Sequence, residues 1–301
     1  MSAIPSWLWI VFTVAASGAQ TARNAMQRDL IATLGTTGAT FVRFLFGLPF
    51  ALLFLALVSL ASGAAAPAPG LSSLLWTGFG GVSQILATAL MLAAMKEKSF
   101  VVAIAYTKTE PVQVALFGLA FLGDRVTGPM AAAIAVATSG VMLMSWPKRA
   151  TDAPADGWRP AIFGLVSAGM FAFSAIGYRA GILALAAPNF VLGASTILAL
   201  ALAIQSALIV AGLALFDRAL LAGIFRAWRP SLLAGFMGAL ASQFWFLAFA
   251  IDTAARVRTL ALIEMIFAQI VTKRIFQQQT SAREIAGMAI MIAGVVILMW
   301  T

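Results

Sequence analysis

The chain has 301 residues, 62% of them hydrophobic and only 10% charged, with 19 Lys and Arg against 10 Asp and Glu. A soluble domain carries about 25% charged and roughly 45–50% apolar residues, and its interior at this length cannot hide such a surplus, so a soluble globule is excluded. Cys and His are absent, which removes disulfides, thiolate and imidazole chemistry, and zinc sites built on those residues.

A membrane-spanning helix needs about 20 mostly apolar residues. Ten such runs occur, at 6–27, 36–61, 71–95, 99–121, 127–147, 158–184, 188–215, 229–251, 255–276 and 283–300. Ala51 to Leu60 and Ile285 to Trp300 are continuously apolar, whereas barrel strands alternate with period two. The fold class expected is an all-α integral membrane protein with ten transmembrane helices. Breakers separate the runs at Ala64 to Gly70 and again at Pro147 to Gly157. The second stretch reads as a linker between an N-terminal half, 1–150, and a C-terminal half, 151–301.

Polar residues inside the runs mark the candidate path, because a charge at the bilayer centre costs on the order of 2.5–3.5 kcal/mol or more. Arg23, near the end of the first run, reads as interfacial. Arg43, two turns into the second, is placed to hold a carboxylate bidentately, to pair with Glu110 or Glu264, or to reach the headgroups. The third run carries Gln84 and Thr88. The fourth holds the densest set, Tyr106 to Gln113. At about 100° per residue Tyr106, Glu110, Gln113 and Phe117 form one stripe, with Lys108 on another side. Pro111 frees a backbone carbonyl and reads as a bend that serves gating. Glu110 can equally sit in a structural pair with a Lys or Arg. Arg179, in the sixth run, reads as interfacial. The eighth carries Ser242, Gln243 and Trp245, and the ninth Glu264. Trp7, Trp9, Trp146, Trp228 and Trp300 lie near run ends and read as interface anchors.

An offset of 154 aligns runs three to five with eight to ten without a gap. Glu110 then meets Glu264, Gly140 meets Gly294 and Trp146 meets Trp300. A duplicated unit with five spans re-enters the membrane from the opposite side, so inverted repeats are expected, a common plan for secondary transporters. Between the runs or at their very ends, Arg28, Lys96, Lys98, Lys148, Arg149, Arg159, Arg218, Arg226, Arg229, Lys273, Arg274 and Arg283 fall to odd-numbered loops, against Arg125, Arg256 and Arg258 to even-numbered ones. Twelve against three places both termini outside the cytoplasm. The net charge of +9 therefore sets topology, and no nucleic-acid partner is expected. The first charge is Arg23, so no cleavable signal peptide is expected.

These features resemble the drug/metabolite transporter superfamily, and within it the EamA-type bacterial members. Phe121-Leu122-Gly123-Asp124 closes the fourth run, and Gly140-Val141-Met142-Leu143 and Gly294-Val295-Val296-Ile297-Leu298 lie in the last run of each half. Pro111 matches that family's helix-four proline, and Asp124 the acid after Leu-Gly. The second half departs, with Met265 and Gln278 at the corresponding positions. The resemblance implies a multi-pass exporter in the bacterial inner membrane, of amino acids in the manner of the bacterial aromatic amino-acid exporters. The functional expectation is a secondary transporter working by alternating access. Its substrate-binding candidates are Arg43, Gln84, Tyr106, Lys108, Glu110, Gln113, Ser242, Gln243, Trp245 and Glu264, with Pro111 in gating. No Walker-type phosphate loop is present. No enzymatic activity, cofactor or metal is expected; the partners are a small-molecule substrate and the lipid bilayer, and the working unit is a monomer. A passive facilitator, or an exporter of another solute such as an organic cation, stays open.

Overall fold

The computed structural model describes residues 5–96, 106–145, 159–275 and 281–301. The predicted inter-half linker at 147–157, the anchor Trp146, the loop cations Lys98, Lys148 and Arg149, and Gln278 lie outside them. Every regular element among the described residues is helical. In lipid the reason is direct: each backbone N–H and C=O must be satisfied internally, and a helix does this within one segment.

In chain order the helices are α1 (Leu8–Leu45), α2 (Leu48–Ser62), α3 (Leu71–Lys96), α4 (Glu110–Phe117), α5 (Gly128–Met144), α6 (Arg159–Ala184), α7 (Phe190–Phe216), α8 (Arg218–Arg226), α9 (Trp228–Ile251), α10 (Ala254–Leu260), α11 (Glu264–Ile275) and α12 (Ala282–Met299). Among the described residues, six stretches are long and apolar enough to cross a membrane: Asp29–Ser62, Leu71–Met91, Ala161–Ala184, Phe190–Phe216, Trp228–Ile251 and Ala282–Met299. Glu110–Leu122 and Gly128–Met144 are shorter apolar helices.

Helix α1 is two limbs. Gly35 has φ +66° and non-helical geometry inside it, a conformation that glycine adopts without steric cost. Gln27 Nε2 donates to Ala39 O at 2.7 Å. A straight helix would separate those residues by about 18 Å along its axis. The chain therefore folds back at Gly35, and the limbs 8–34 and 36–45 run side by side, in keeping with the break between the first two predicted runs. The second limb passes almost without interruption into α2, with Phe46 N–H bonded to Val42 O and Ala51 N–H to Gly47 O.

The helices group into two compact units. The first comprises Met1–Gly81 and Gly177–Asp252, the second Val82–Ile176 and Thr253–Thr301. Each draws on both halves of the sequence, with boundaries inside α3 and α6.

In the first unit glycines bring backbones together. A Cβ on Gly177 of α6 would stand 2.8 Å from the Gly80 Cα and 2.9 Å from the Trp76 carbonyl of α3. The Ser73 hydroxyl donates to Gly181 O at 2.9 Å, and Gln205 Nε2 of α7 to Gly81 O at 3.2 Å. Helices in lipid gain little from hydrophobic contact, so small residues and interhelical hydrogen bonds hold them. The second unit repeats this where α5 crosses α12. A Cβ on Gly140 would lie 2.6 Å from Gly287 O, and one on Gly294 2.7 Å from the Ala137 Cα. Ala137, Val141, Met291 and Leu262 form the buried cluster at this crossing.

Four expectations are corrected. The fourth run is no continuous helix: Tyr106 and Thr107 are helical, Lys108 and Thr109 turn, and α4 starts at Glu110. The ninth is interrupted by a 3-10 turn at Ala261–Ile263. The stretch after the seventh run contains α8, a short amphipathic helix. Asp217 caps it by accepting from Leu220 N–H at 2.9 Å, and its Ile224 is buried while Phe225 and Arg226 are exposed. Trp9, expected at the interface, is 2% exposed and belongs to the core of the first unit; Trp7, Trp228 and Trp300 are exposed at helix ends.

Candidate functional site

The polar residues singled out in the spans fall into two clusters, one in each unit.

The second unit holds Tyr106, Lys108, Glu110, Pro111, Gln113, Gln84 and Glu264. Its centre is an ion pair. Arg258, in the last turn of α10, reaches one oxygen of Glu110 with two nitrogens, Nε at 2.6 Å and Nη2 at 2.5 Å. The side chains are 19% and 13% exposed respectively. Local sequence places both partners well. Glu110 opens α4 and Arg258 closes α10, so each charge complements the dipole of its helix terminus. Thr253 caps α10 by accepting from Arg256 N–H, which sets the register that carries Arg258 to its end.

The predicted stripe along one helix is broken by the Lys108–Thr109 turn. Thr109 donates from both its N–H and its hydroxyl to Tyr106 O, at 3.1 and 2.7 Å, and caps the preceding turn. Lys108 sits half-buried in the break itself. Pro111 is buried in the first turn of α4, where its missing N–H would be unsatisfied anyway. It starts a helix there rather than bending one in mid-course. Gln113 Nε2 donates to Thr109 Oγ1 at 3.1 Å and to Leu165 O of α6 at 3.3 Å. A Cβ on Gly169 would meet Gln113 Oε1 at 2.8 Å, so glycine makes room for the amide. One turn on, Phe117 stacks on Phe173 at 4.2 Å and 3°. These contacts fasten α4 to α6. Gln84 is half-buried on α3, where its carbonyl accepts from the Thr88 hydroxyl. Glu264 is half-buried and opens α11 directly after the 3-10 turn.

The first unit holds Arg43, Ser242, Gln243 and Trp245. The Trp245 Nε1–H donates to Gln20 Oε1 at 3.2 Å, so this mid-span ring faces protein, in keeping with its place in the run. Gln243 Nε2 donates to Ser195 Oγ at 2.9 Å. Its Oε1 is a buried acceptor with no hydrogen-bond donor among the described residues. Ser242 is half-buried. The Arg43 guanidinium lies over the Phe44 ring, 4.4 Å from its centroid.

Three arginines depart from what their sequence positions suggest. Arg258 reads as a loop charge, yet it holds Glu110, the acid that Arg43 is equally placed to pair with along the chain. Arg23 is no interfacial residue: it is 6% exposed and donates to Asn24 Oδ1 from Nη2 at 2.7 Å. Arg179 Nη1 donates to the carbonyls of Phe249 and Asp252, which ties down the end of α9. The signal in each case is a charged residue within two turns of a run's end, and it does not say which way the side chain turns.

Residues 6–146 match the model of the EamA-like transporter family. No curated protein sequence matches the chain. Twenty-eight chains of solved structures match. One, described only as "Crystal structure of protein", is 13% identical, with 99% of each chain covered and a TM-score of 0.69; at that identity the likeness shows a shared fold. The matched segment contains Arg23, Arg43, Glu110, Pro111 and Asp124. The chain is therefore a multi-pass membrane protein whose residues 6–146 resemble the EamA-like transporter family.

Proposed function

We propose that the protein is a secondary transporter that exports amino acids or related small metabolites across the bacterial inner membrane by alternating access. The observation that carries this reading is the Arg258–Glu110 pair at the ends of two interrupted helices. Ionisable residues kept inside spans mark solute or ion paths, and interrupted helices with charged groups at their ends are how carriers build such paths. A substrate carboxylate competes with Glu110 for Arg258, and a proton on Glu110 releases the same arginine. Either event changes which contacts hold α4 against α10. Tyr106, Lys108, Gln113, Gln84 and Glu264 supply further polar groups in that unit, and Arg43, Ser242, Gln243 and Trp245 in the other.

The same reading takes the chain as two five-helix repeats, 1–150 and 151–301, with ten spans and inverted topology. Two features support it. Glu110 and Glu264, related by the offset of 154, each open a helix directly after an interruption. The contact of Gly140 with Met291 maps under that offset onto the contact of Gly294 with Ala137, and both are present. One chain then contains both repeats, so the working unit is a monomer.

The test is flux in proteoliposomes of the purified protein, preloaded with a panel of labelled amino acids. Saturable release accelerated by external amino acid is the expected result. Release that never saturates and shows no acceleration establishes a passive facilitator instead. Silence across the panel overturns the amino-acid assignment.

A further inference from the structure

Helix α8 joins two consecutive spans. α7 has 27 residues and α9 has 24, whereas α8 has nine, about 14 Å of helix. That is too short to cross a hydrocarbon core of about 30 Å. The chain therefore leaves the bilayer by α7 and re-enters it by α9 on the same side, and α8 lies at that surface.

The apolar face of α8 is occupied by its own protein. Ile224 is fully buried. A Cβ on Gly38 would stand 2.9 Å from Leu220 Cδ1 and 3.8 Å from Ile224 Cγ1, and one on Gly223 would stand 3.7 Å from Leu34 Cδ2. α8 thus seats on α1 beside the Gly35 fold-back and touches both limbs. Thr33, Gly35 and Thr36 at the fold-back are exposed, as a membrane surface requires.

The opposite face is cationic. Arg218, Ala222 and Arg226 follow the i, i+4, i+8 spacing of one stripe, and all three are exposed. Ala222 is too small to cover the space between the arginines. Arg229, in the first turn of α9, is exposed as well. Among the described residues none of the three arginines makes an ion pair. The Arg218 Nε donates to Ala214 O at 2.8 Å, which leaves its terminal nitrogens available. The neighbouring acid, Asp217, caps α8 through Leu220 N–H. Phe216, Phe225 and Trp228 are exposed beside the stripe, and the Arg229 guanidinium lies 5.4 Å from the Trp228 ring centre.

Guanidinium forks suit phosphate bidentately, and aromatic rings favour headgroup depth. The charge count puts this loop, the seventh, on the cytoplasmic side, whose negative surface potential attracts basic segments. We propose that α8 and the first turn of α9 form a docking surface for anionic phospholipid headgroups, with Arg218, Arg226 and Arg229 receiving their phosphates. Zwitterionic lipids carry a phosphate too, but their ammonium group meets three cations, so they rank below. Because α8 touches both limbs of α1, a bound lipid stabilises the first unit. The surface serves this role whatever solute the protein carries.

The experiment is native mass spectrometry of the purified full chain in detergent, with phosphatidylglycerol or phosphatidylcholine added. The unfolding midpoint is measured under the same conditions. Phosphatidylglycerol binds more tightly and raises the midpoint; phosphatidylcholine leaves it unchanged. Added salt weakens phosphatidylglycerol binding. Arg218→Gln, Arg226→Gln and Arg229→Gln each weaken it by about fivefold, and the triple variant by about a hundredfold. The difference from wild type separates this surface from lipid bound elsewhere. Replacing all three by Lys keeps most of the binding, which distinguishes lost charge from lost structure. Should the triple Gln variant fail to fold, the single variants read the same surface. Folded Gln variants that bind phosphatidylglycerol like the wild type overturn the proposal. So does equal binding of the two lipids. Inorganic phosphate or a polyglutamate peptide that displaces phosphatidylglycerol makes the patch a site for a soluble anion or an acidic partner, and overturns lipid docking. Failed amino-acid counterflow with lipid binding intact overturns the export reading and leaves this one standing.

Discussion

Replacing Glu110 by Gln removes one charge from the Arg258 pair and leaves its shape. Both Arg258 nitrogens reach a single oxygen, at 2.6 and 2.5 Å, between side chains less than one-fifth exposed. The amide of Gln keeps an acceptor in place, so one hydrogen bond survives as an ordinary charge-to-neutral contact. Losing one partner of a buried pair outright costs about 3–5 kcal/mol, and a charge-assisted hydrogen bond is worth about 1.5–3 kcal/mol. Partial exposure and the surviving acceptor set the expectation at the lower end, about 2–3 kcal/mol. For a chain of this length that lowers the unfolding midpoint by about 4–6 °C. The assay is thermal unfolding of the purified protein in detergent, for Glu110→Gln, Arg258→Gln and the double variant. The double variant recovers about 1 kcal/mol or more relative to the sum of the singles, because each single leaves the other charge exposed to the same apolar surroundings. Counterflow in liposomes, measured well below the midpoint, falls in the Glu110→Gln variant while the protein stays folded. A midpoint within about 1 °C of wild type, with strictly additive singles, refutes the idea that this pair carries structural or functional weight.

Gly140→Val and Gly294→Val each force side-chain atoms into the facing backbone of α12 or α5 and lower stability by about 3 kcal/mol or more, whereas Gly63→Ala, at φ +63° with open space around it, costs only about 1 kcal/mol. Unfolding midpoints separate the two cases, and equal losses at all three positions would contradict the close-crossing account. Phe117→Ala and Phe173→Ala couple in a double-mutant cycle by about 0.5–1.5 kcal/mol, the worth of a stacked pair beyond its buried area; zero coupling would contradict the stack that fastens α4 to α6. Ser281→Ala opens the reciprocal Ser281–Glu284 capping box at the start of α12 and costs about 1 kcal/mol, read as earlier thermal unfolding, with Glu284→Ala giving no further loss in the double variant.

Part of the site is legible along the chain itself. The fourth run's polar residues are where the pair and the helix break occur, and Trp245 does face protein. Pro111 stands out in the sequence, but as a helix start rather than a bend. A proline in the first turn of a helix is a start signal, and the turn residue Thr109 two positions before it marks the same boundary. Asp217, three residues ahead of Leu220, likewise announces α8. Arg258 is illegible in a stronger sense. Its partner lies 148 positions away, and its repeat-related position is Ile104, so internal symmetry gives no hint of a charge there.

Composition and apolar run length determine by themselves that this chain lives in lipid and is helical. Both follow from sums over neighbouring residues, and lipid admits few backbone solutions to them. Tertiary structure alone decides that Gly35 folds α1 back, that Arg258 rather than Arg43 takes Glu110, and that α8 seats Leu220 against Gly38 of α1. Those outcomes depend on which helix faces meet and how closely. Contact distance between faces is set by side-chain shape on both partners at once, and no window along one segment contains that information.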